Sequence, residues 1–301
     1  MTNVLENESL KLTISDAGAE LVSAWDKEKE IERIWCGDPK VWGRHAPILF
    51  PFVGKVKGGS YRYNGKEYSM PGHGFARDRV FECVEHTDTS VTYLLKSDEE
   101  SMKMYPFSYA LYITYRLAEG KERRIDIEWR VVNEGDGTML YSIGGHPAFT
   151  YPQENDANKC FIGFGEHRAK MDTAKEASIE YYLLSDKGLV VTSRNYSLEL
   201  ENGRSRITDN MFDKDALVFM NNRINEAELL DASGKPYVRM KCQGFPYFGI
   251  WSKAVERFLC LEPWYGVADT EGHDGELSSK VGVQKLAAGE TREYSYSVEL
   301  L

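Results

Sequence analysis

The chain has 301 residues, with 47 Asp and Glu against 37 Lys and Arg, a formal charge of −10 and no basic run, which argues against nucleic acid and anionic membrane surfaces as partners. No Pro/Gly/Ser-rich linker or charge block interrupts it, so one domain over residues 1–301 is expected, large enough to bury a sizeable core. Its five cysteines (Cys36, Cys83, Cys160, Cys242, Cys260) are odd in number with no C-x-x-C pair, and neither a signal-peptide pattern nor a long apolar run is visible, so they read as buried free thiols in a soluble cytoplasmic protein.

In chain order the dominant period is two. Leu10, Leu12 and Ile14 alternate with polar neighbours, and Leu21, Ser23 and Trp25 follow an Asp-Ala-Gly turn. Asn64-Gly65 between two tyrosine-bearing arms predicts a hairpin over 61–70, and residues 81–95 predict a second that turns near Thr87-Asp88-Thr89. Leu111, Ile113, Tyr115 and Leu117 should pair across Glu119-Gly120 with Ile125, Ile127, Trp129 and Val131, leaving Asp126, Glu128 and Arg130 on a wet face. Further hairpins are expected from 181–184 with 189–192, 227–230 with 237–241, and 248–251 with 258–261, before a closing strand at 294–300. Helix is expected only over 98–104 and 213–217, and no repeat of 20 to 50 residues announces a propeller or solenoid. The pattern predicts an all-β protein, a large many-stranded antiparallel β-sandwich with under about a fifth of its residues in helix.

Four places set polar groups into apolar or turn-rich stretches. In Trp42-Gly43-Arg44-His45-Ala46-Pro47 an arginine precedes a proline-bounded apolar segment, and it reads either as a ligand contact or as a snorkelling surface arginine. Pro71-Gly72-His73-Gly74-Phe75-Ala76-Arg77 flanks a histidine with glycines, as close approach of a ligand or a plain turn would require. Tyr141-Ser142-Ile143-Gly144-Gly145-His146-Pro147 carries an imidazole to a strand end, where Pro147 biases it toward extended backbone; a structural histidine beside a bend is the competing reading. Leu259-Cys260-Leu261-Glu262-Pro263-Trp264 ends an apolar strand in a carboxylate that must be paired, solvated or functional. Burial would raise the Glu262 pKa toward the range of a general base. His86 and His273 fall in polar loops and read as solvated; with His45 and His167 they are left out of the site.

Together these stretches resemble the galactose mutarotase (aldose 1-epimerase) family across nearly the whole chain. The carriers are RHAPILFP, HGFAR, GGHPAF, Asp213-Lys214-Asp215-Ala216-Leu217 and LCLEPW, in that order. The resemblance implies a β-sandwich enzyme that interconverts sugar anomers, with Glu262 as base and His146 as acid. It implies that His73, Arg44 and Asp215 hold the sugar, with Arg77 and Trp264 beside them. No metal or other cofactor is expected, the partner is a small-molecule sugar, and the chain would be a monomer or homodimer. Pro263-Trp264 stands where the best-known members have Thr-Gln, which places the chain in a divergent bacterial branch. Two alternatives stay open: a hexose-6-phosphate mutarotase, because HGFAR also occurs there and Arg44 and Arg77 could receive phosphate, and a non-catalytic sugar-binding or sensory protein using the same pocket.

Overall fold

A computed structural model describes residues 1–152, 156–165 and 178–301. The described residues are nearly all β, with 48% strand and 7% helix. Its largest sheet has nine antiparallel strands, in the order Arg204–Arg206, Phe161–Gly163, Glu226–Leu230, Pro236–Lys241, Thr291–Leu300, Arg124–Asn133, Tyr109–Leu117, Ser90–Lys96 and Glu82–His86. At its centre the register is the one that period-two patterning dictates: Leu111 opposes Val131, Ile113 opposes Trp129 and Tyr115 opposes Ile127. One face is therefore apolar and buried, while Arg130 on the other is exposed.

A second sheet runs Leu217–Met220, Tyr247–Trp251, Phe258–Tyr265, Ile143–Gly145 and Ile48–Leu49, with Ala148–Thr150 also pairing on Phe258–Tyr265. Leu259, Leu261, Phe248 and Ile250 on one face of this sheet join Leu111, Ile113, Tyr115 and Trp129 of the large sheet in a single buried core. Alternation then sends Cys260, Glu262 and Trp264 to the opposite face, where Trp264 packs with Leu49, Val53, Val218 and Ala268 in a separate apolar cluster. The site is built on that outer face. A four-stranded sheet from the first 32 residues and three two-stranded sheets are also present among the described residues.

Asn64 and Gly65 both take positive φ, 50° and 73°, as a two-residue hairpin requires, between Ser60–Tyr63 and Lys66–Ser69. The expected helix near 98–104 is Glu99–Met104, and Asp98 caps it by accepting from the Ser101 N–H at 2.7 Å. The expected helix at 213–217 is absent. Asp215 has φ 68° and ends a turn, and Leu217 begins a strand. The 181–184/189–192 hairpin is also corrected, because Ser178–Tyr181 pairs with Tyr196–Glu199, leaving a single Leu184–Val190 bridge inside. Among the thiols, Cys36 is exposed rather than buried.

Candidate active site

The Phe258–Tyr265 strand fixes the centre of the site. On one neighbour Gly144 opposes Trp264 and Ala148 opposes Cys260, so His146 falls opposite Glu262, at the point where Pro147 has no N–H to give. On the other neighbour Gly249 opposes Glu262. The result is a row across three strands reading imidazole, carboxylate, no side chain. Glu262 Oε2 stands 3.2 Å from His146 Nε2, with 1% and 9% of the two side chains exposed. Trp42 stacks on the imidazole with centroids 5.0 Å apart, and Trp251 meets it edge-on at 5.5 Å. These contacts hold the ring plane; among the described residues neither His146 Nδ1 nor Glu262 Oε2 has a partner at hydrogen-bonding geometry.

His73 reaches the same place from a turn. Its N–H donates to the Gly54 carbonyl at 2.7 Å, the Gly74 N–H donates to the Pro71 carbonyl, and the N–H groups of Phe75 and Ala76 both donate to the Phe50 carbonyl. A Cβ on Gly74 would sit 2.2 Å from that carbonyl oxygen, so glycine is obligatory there. His73 itself has φ 66°; like Asp215 it is a non-glycine residue in the left-handed region, strain of the kind that gathers at functional sites. The Gly54 N–H donates to His73 Nδ1 at 3.2 Å, which leaves the proton of the neutral ring on Nε2.

The electrostatics follow from burial. Burial, and to a lesser degree the Asp215 charge, hold the Glu262 carboxyl well above the usual range against the opposing effect of the Trp264 indole. Burial pushes His146 down to about 3, with Arg77 and Arg44 acting the same way. Burial and the neighbouring cations also hold His73 well below its ordinary value. The carboxylate facing His146 does not raise it, because that carboxyl is itself driven toward its neutral form.

Glu262, His146, His73, Arg77, Asp215 and Trp264 line one cavity of about 350 Å³, in the range of small-molecule sites. Arg44 is not in its lining: its guanidinium pairs with Asp78 at 2.6 Å and reaches the Arg77 carbonyl at 3.4 Å. Sequence reasoning missed Lys55, Lys253 and Trp251, which do line it. Lys55 follows Val53-Gly54 at the end of the RHAPILFP stretch, and Lys253 follows a strand end; neither position says on its own which way the side chain turns. His273 is buried, 3.8 Å from Asp269, rather than solvated. His167 lies outside the described residues. His146, Cys260 and Glu262 also bring one potential metal-ligand atom each to within 4.8 Å of one another, although burial holds the Cys260 thiol well above its ordinary pKa and so in its neutral form.

A family model described as Aldose 1-epimerase matches residues 1–277. The chain belongs to the aldose 1-epimerase family. The plasmid-borne protein LacX of Lactococcus lactis subsp. lactis is 29% identical over the full length of both chains. Among solved structures, a galactose mutarotase related enzyme from Lactobacillus acidophilus is 32% identical over 100% of this chain and 97% of its own, with a TM-score of 0.90. A galactose mutarotase-like protein from Lactobacillus casei is 28% identical over the whole of both chains, with a TM-score of 0.85. The β-sandwich expected for this aldose 1-epimerase family member is the fold observed.

Proposed function

We propose that this protein interconverts the α and β anomers of a hexose by general acid–base catalysis. The observation that carries the reading is the buried Glu262–His146 contact, 3.2 Å long, in the wall of a sugar-sized cavity. Anomer exchange takes the proton from the anomeric hydroxyl, gives a proton to the ring oxygen and breaks the C1–O5 bond. Rotation about C1–C2 and the reverse transfers then close the ring on its other face. One base and one acid suffice, and no electrons change hands.

Glu262 acts as the base and His146 as the acid. In the empty site burial favours the neutral forms, so the one proton of the pair rests on Glu262. Moving it across 3.2 Å to His146 creates the carboxylate and the imidazolium together, with no change in the net charge of the site. His73 presents Nε2–H to a sugar oxygen, Asp215 accepts from hydroxyls, and Trp264 offers an apolar face to the C–H side of the ring. Polarimetry of freshly dissolved α-glucose and α-galactose tests the reading. Relaxation to equilibrium should be accelerated by the protein and not by Glu262→Gln; unaccelerated relaxation with sugar still bound would instead mark a non-catalytic sugar-binding protein.

A further inference from the structure

The chain carries ten more acidic than basic residues, yet three of its cations, Lys55, Arg77 and Lys253, line the cavity against two carboxyls, Asp215 and Glu262. Neither lysine has an ion-pair or side-chain hydrogen-bond partner among the described residues. Both lysines are exposed residues of the cavity lining, and the Lys55 side chain follows a defined path there. Its stem runs past Gly72 and Gly188, where added Cβ atoms would lie 3.4 Å from its Cγ and 2.8 Å from its Cδ, and its Nζ would be 3.2 Å from a Cβ on Gly188. The two glycines leave room for that stem beside the cavity.

Arg77 is the second half of this wall. It and Arg44 share the Asp78 carboxylate, at 3.9 and 2.6 Å, and Glu20 also acts on Arg77 electrostatically. Arg77 is anchored by donating to the Gly72 carbonyl at 2.7 Å, and its buried Nε has no acceptor among the described residues. Lys55 and Arg77 line the cavity together with His73, and the charges of both disfavour protonation of its ring. A neutral hexose gives these groups nothing to neutralise, whereas a phosphate monoester brings up to two negative charges and three acceptor oxygens.

We infer that the cavity takes an aldose phosphate, with the phosphate held by Lys55 and Arg77 and with Lys253 as the third cation of the lining. This rests on the mutarotase reading and narrows its substrate class. The ester must sit away from C1, because a 1-phosphate has no anomeric proton to lose and cannot open its ring. The exocyclic C6 is the natural place, since it leaves the ring hydroxyls to His73 and Asp215.

The test compares glucose, glucose 6-phosphate, galactose 6-phosphate and glucuronate, with anomer exchange followed by NMR exchange spectroscopy. The wild type should show a kcat/KM at least tenfold higher for a 6-phosphate than for the free sugar, reduced by added salt. Lys55→Met, which keeps the stem, should lower the 6-phosphate value roughly ten- to a hundredfold, as expected for one charge-assisted hydrogen bond, and the free-sugar value by far less. Glucose 1-phosphate should compete without turning over. Equal kcat/KM for glucose and both 6-phosphates overturns the inference while leaving the mutarotase reading intact, and a glucuronate value matching the phosphates overturns phosphate as the group. If no sugar is turned over, the mutarotase reading falls. Calorimetric binding of glucose 6-phosphate then decides the phosphate site, supporting it if binding weakens at least tenfold in Lys55→Met and overturning it otherwise.

Discussion

Trp264 lies directly over Gly249: a Cβ added there would stand 2.3 Å from the indole Cη2. A second glycine on the flanking strand, Gly144, would place its Cβ 2.6 Å from the indole Cδ1. The ring is thus bedded between two positions that have no side chain, and it is the ring, not the backbone, that makes those glycines necessary. It also keeps Trp264 beside Glu262 on one face of the strand.

The bedding predicts a selective lesion. Gly249→Ala forces a rigid indole out of its place, which should cost about 1–3 kcal/mol of stability by overpacking. Displacing the sugar-facing ring should lower kcat/KM by roughly 10- to 100-fold. Gly137→Ala, where nothing lies within 4 Å of the new methyl, should change neither. Thermal melts and anomer-exchange kinetics check both, and a Gly249→Ala enzyme as active and stable as wild type would remove Trp264 from the site.

The Glu262–His146 pair predicts strong non-additivity. Glu262→Gln keeps the shape and removes the base, so kcat should fall by about 10²–10⁴, and His146→Asn should do the same. Because a single relay uses both groups, the double variant should lose far less than the product of the two. Steady-state kinetics on the two single variants and the double variant decide it. A Glu262→Gln enzyme that keeps more than about a tenth of wild-type kcat would refute the assignment, since a tenfold loss is about 1.4 kcal/mol and simple repositioning of the sugar would explain it.

The pH–rate profile should be a broad plateau rather than a narrow bell. The active pair holds one proton, so activity is lost on the acid side when a second proton is added and on the alkaline side when the last one leaves. Burial moves the first event down, with His146 at about 3, and the second up, because the Glu262 carboxyl is held well above its usual value. kcat measured from pH 4 to 9 should be nearly flat around neutrality; a sharp optimum bounded by ordinary carboxylate and imidazole values near 4.3 and 6.5 would show that the pair is solvated in the working enzyme.

The strands were legible because alternation is a local signal. The pairing of Leu111 with Val131 and of Ile113 with Trp129 follows from sequence once the turn at Glu119-Gly120 is placed. The 213–217 segment misled because Lys, Ala and Leu suit a helix locally, while the turn needs Asp215 at positive φ. Six of the seven expected site residues line the cavity; five of them sit in stretches whose glycines, prolines or aromatics mark a bend or strand end, while Asp215 is expected from the family resemblance alone. The register that sets His146 opposite Glu262 joins segments more than a hundred residues apart, and no local pattern encodes it. Arg44 stays out of the lining and Lys55, which no sequence signal marks, enters it for the same reason: which side chain faces the cavity depends on Asp78, Gly72 and Gly188, all supplied from elsewhere in the chain.

Stability should fall on acidification in two stages, with signs set by three buried groups. His146 and His73 have folded pKa values below the unfolded 6.5, so below that pH the unfolded chain binds protons that the folded one refuses. Each therefore contributes stability that is present above pH 6.5 and is lost as pH falls toward the folded value. Glu262 is the opposite case: its folded value lies above the unfolded 4.5, so above pH 4.5 the folded chain holds a proton that the unfolded chain has released. Between about pH 6.5 and 4.5 one histidine is offset by Glu262, and from these groups unfolding takes up one net proton. Below 4.5 the offset disappears and the uptake is two, so the slope should steepen from about 1.4 to about 2.7 kcal/mol per pH unit. Denaturant melts at half-unit pH steps measure it. His146→Asn should remove one proton of uptake in both ranges, flattening the upper stage and halving the lower; a variant with an unchanged pH slope would mean that His146 titrates normally in the folded protein and is not the buried neutral group described above.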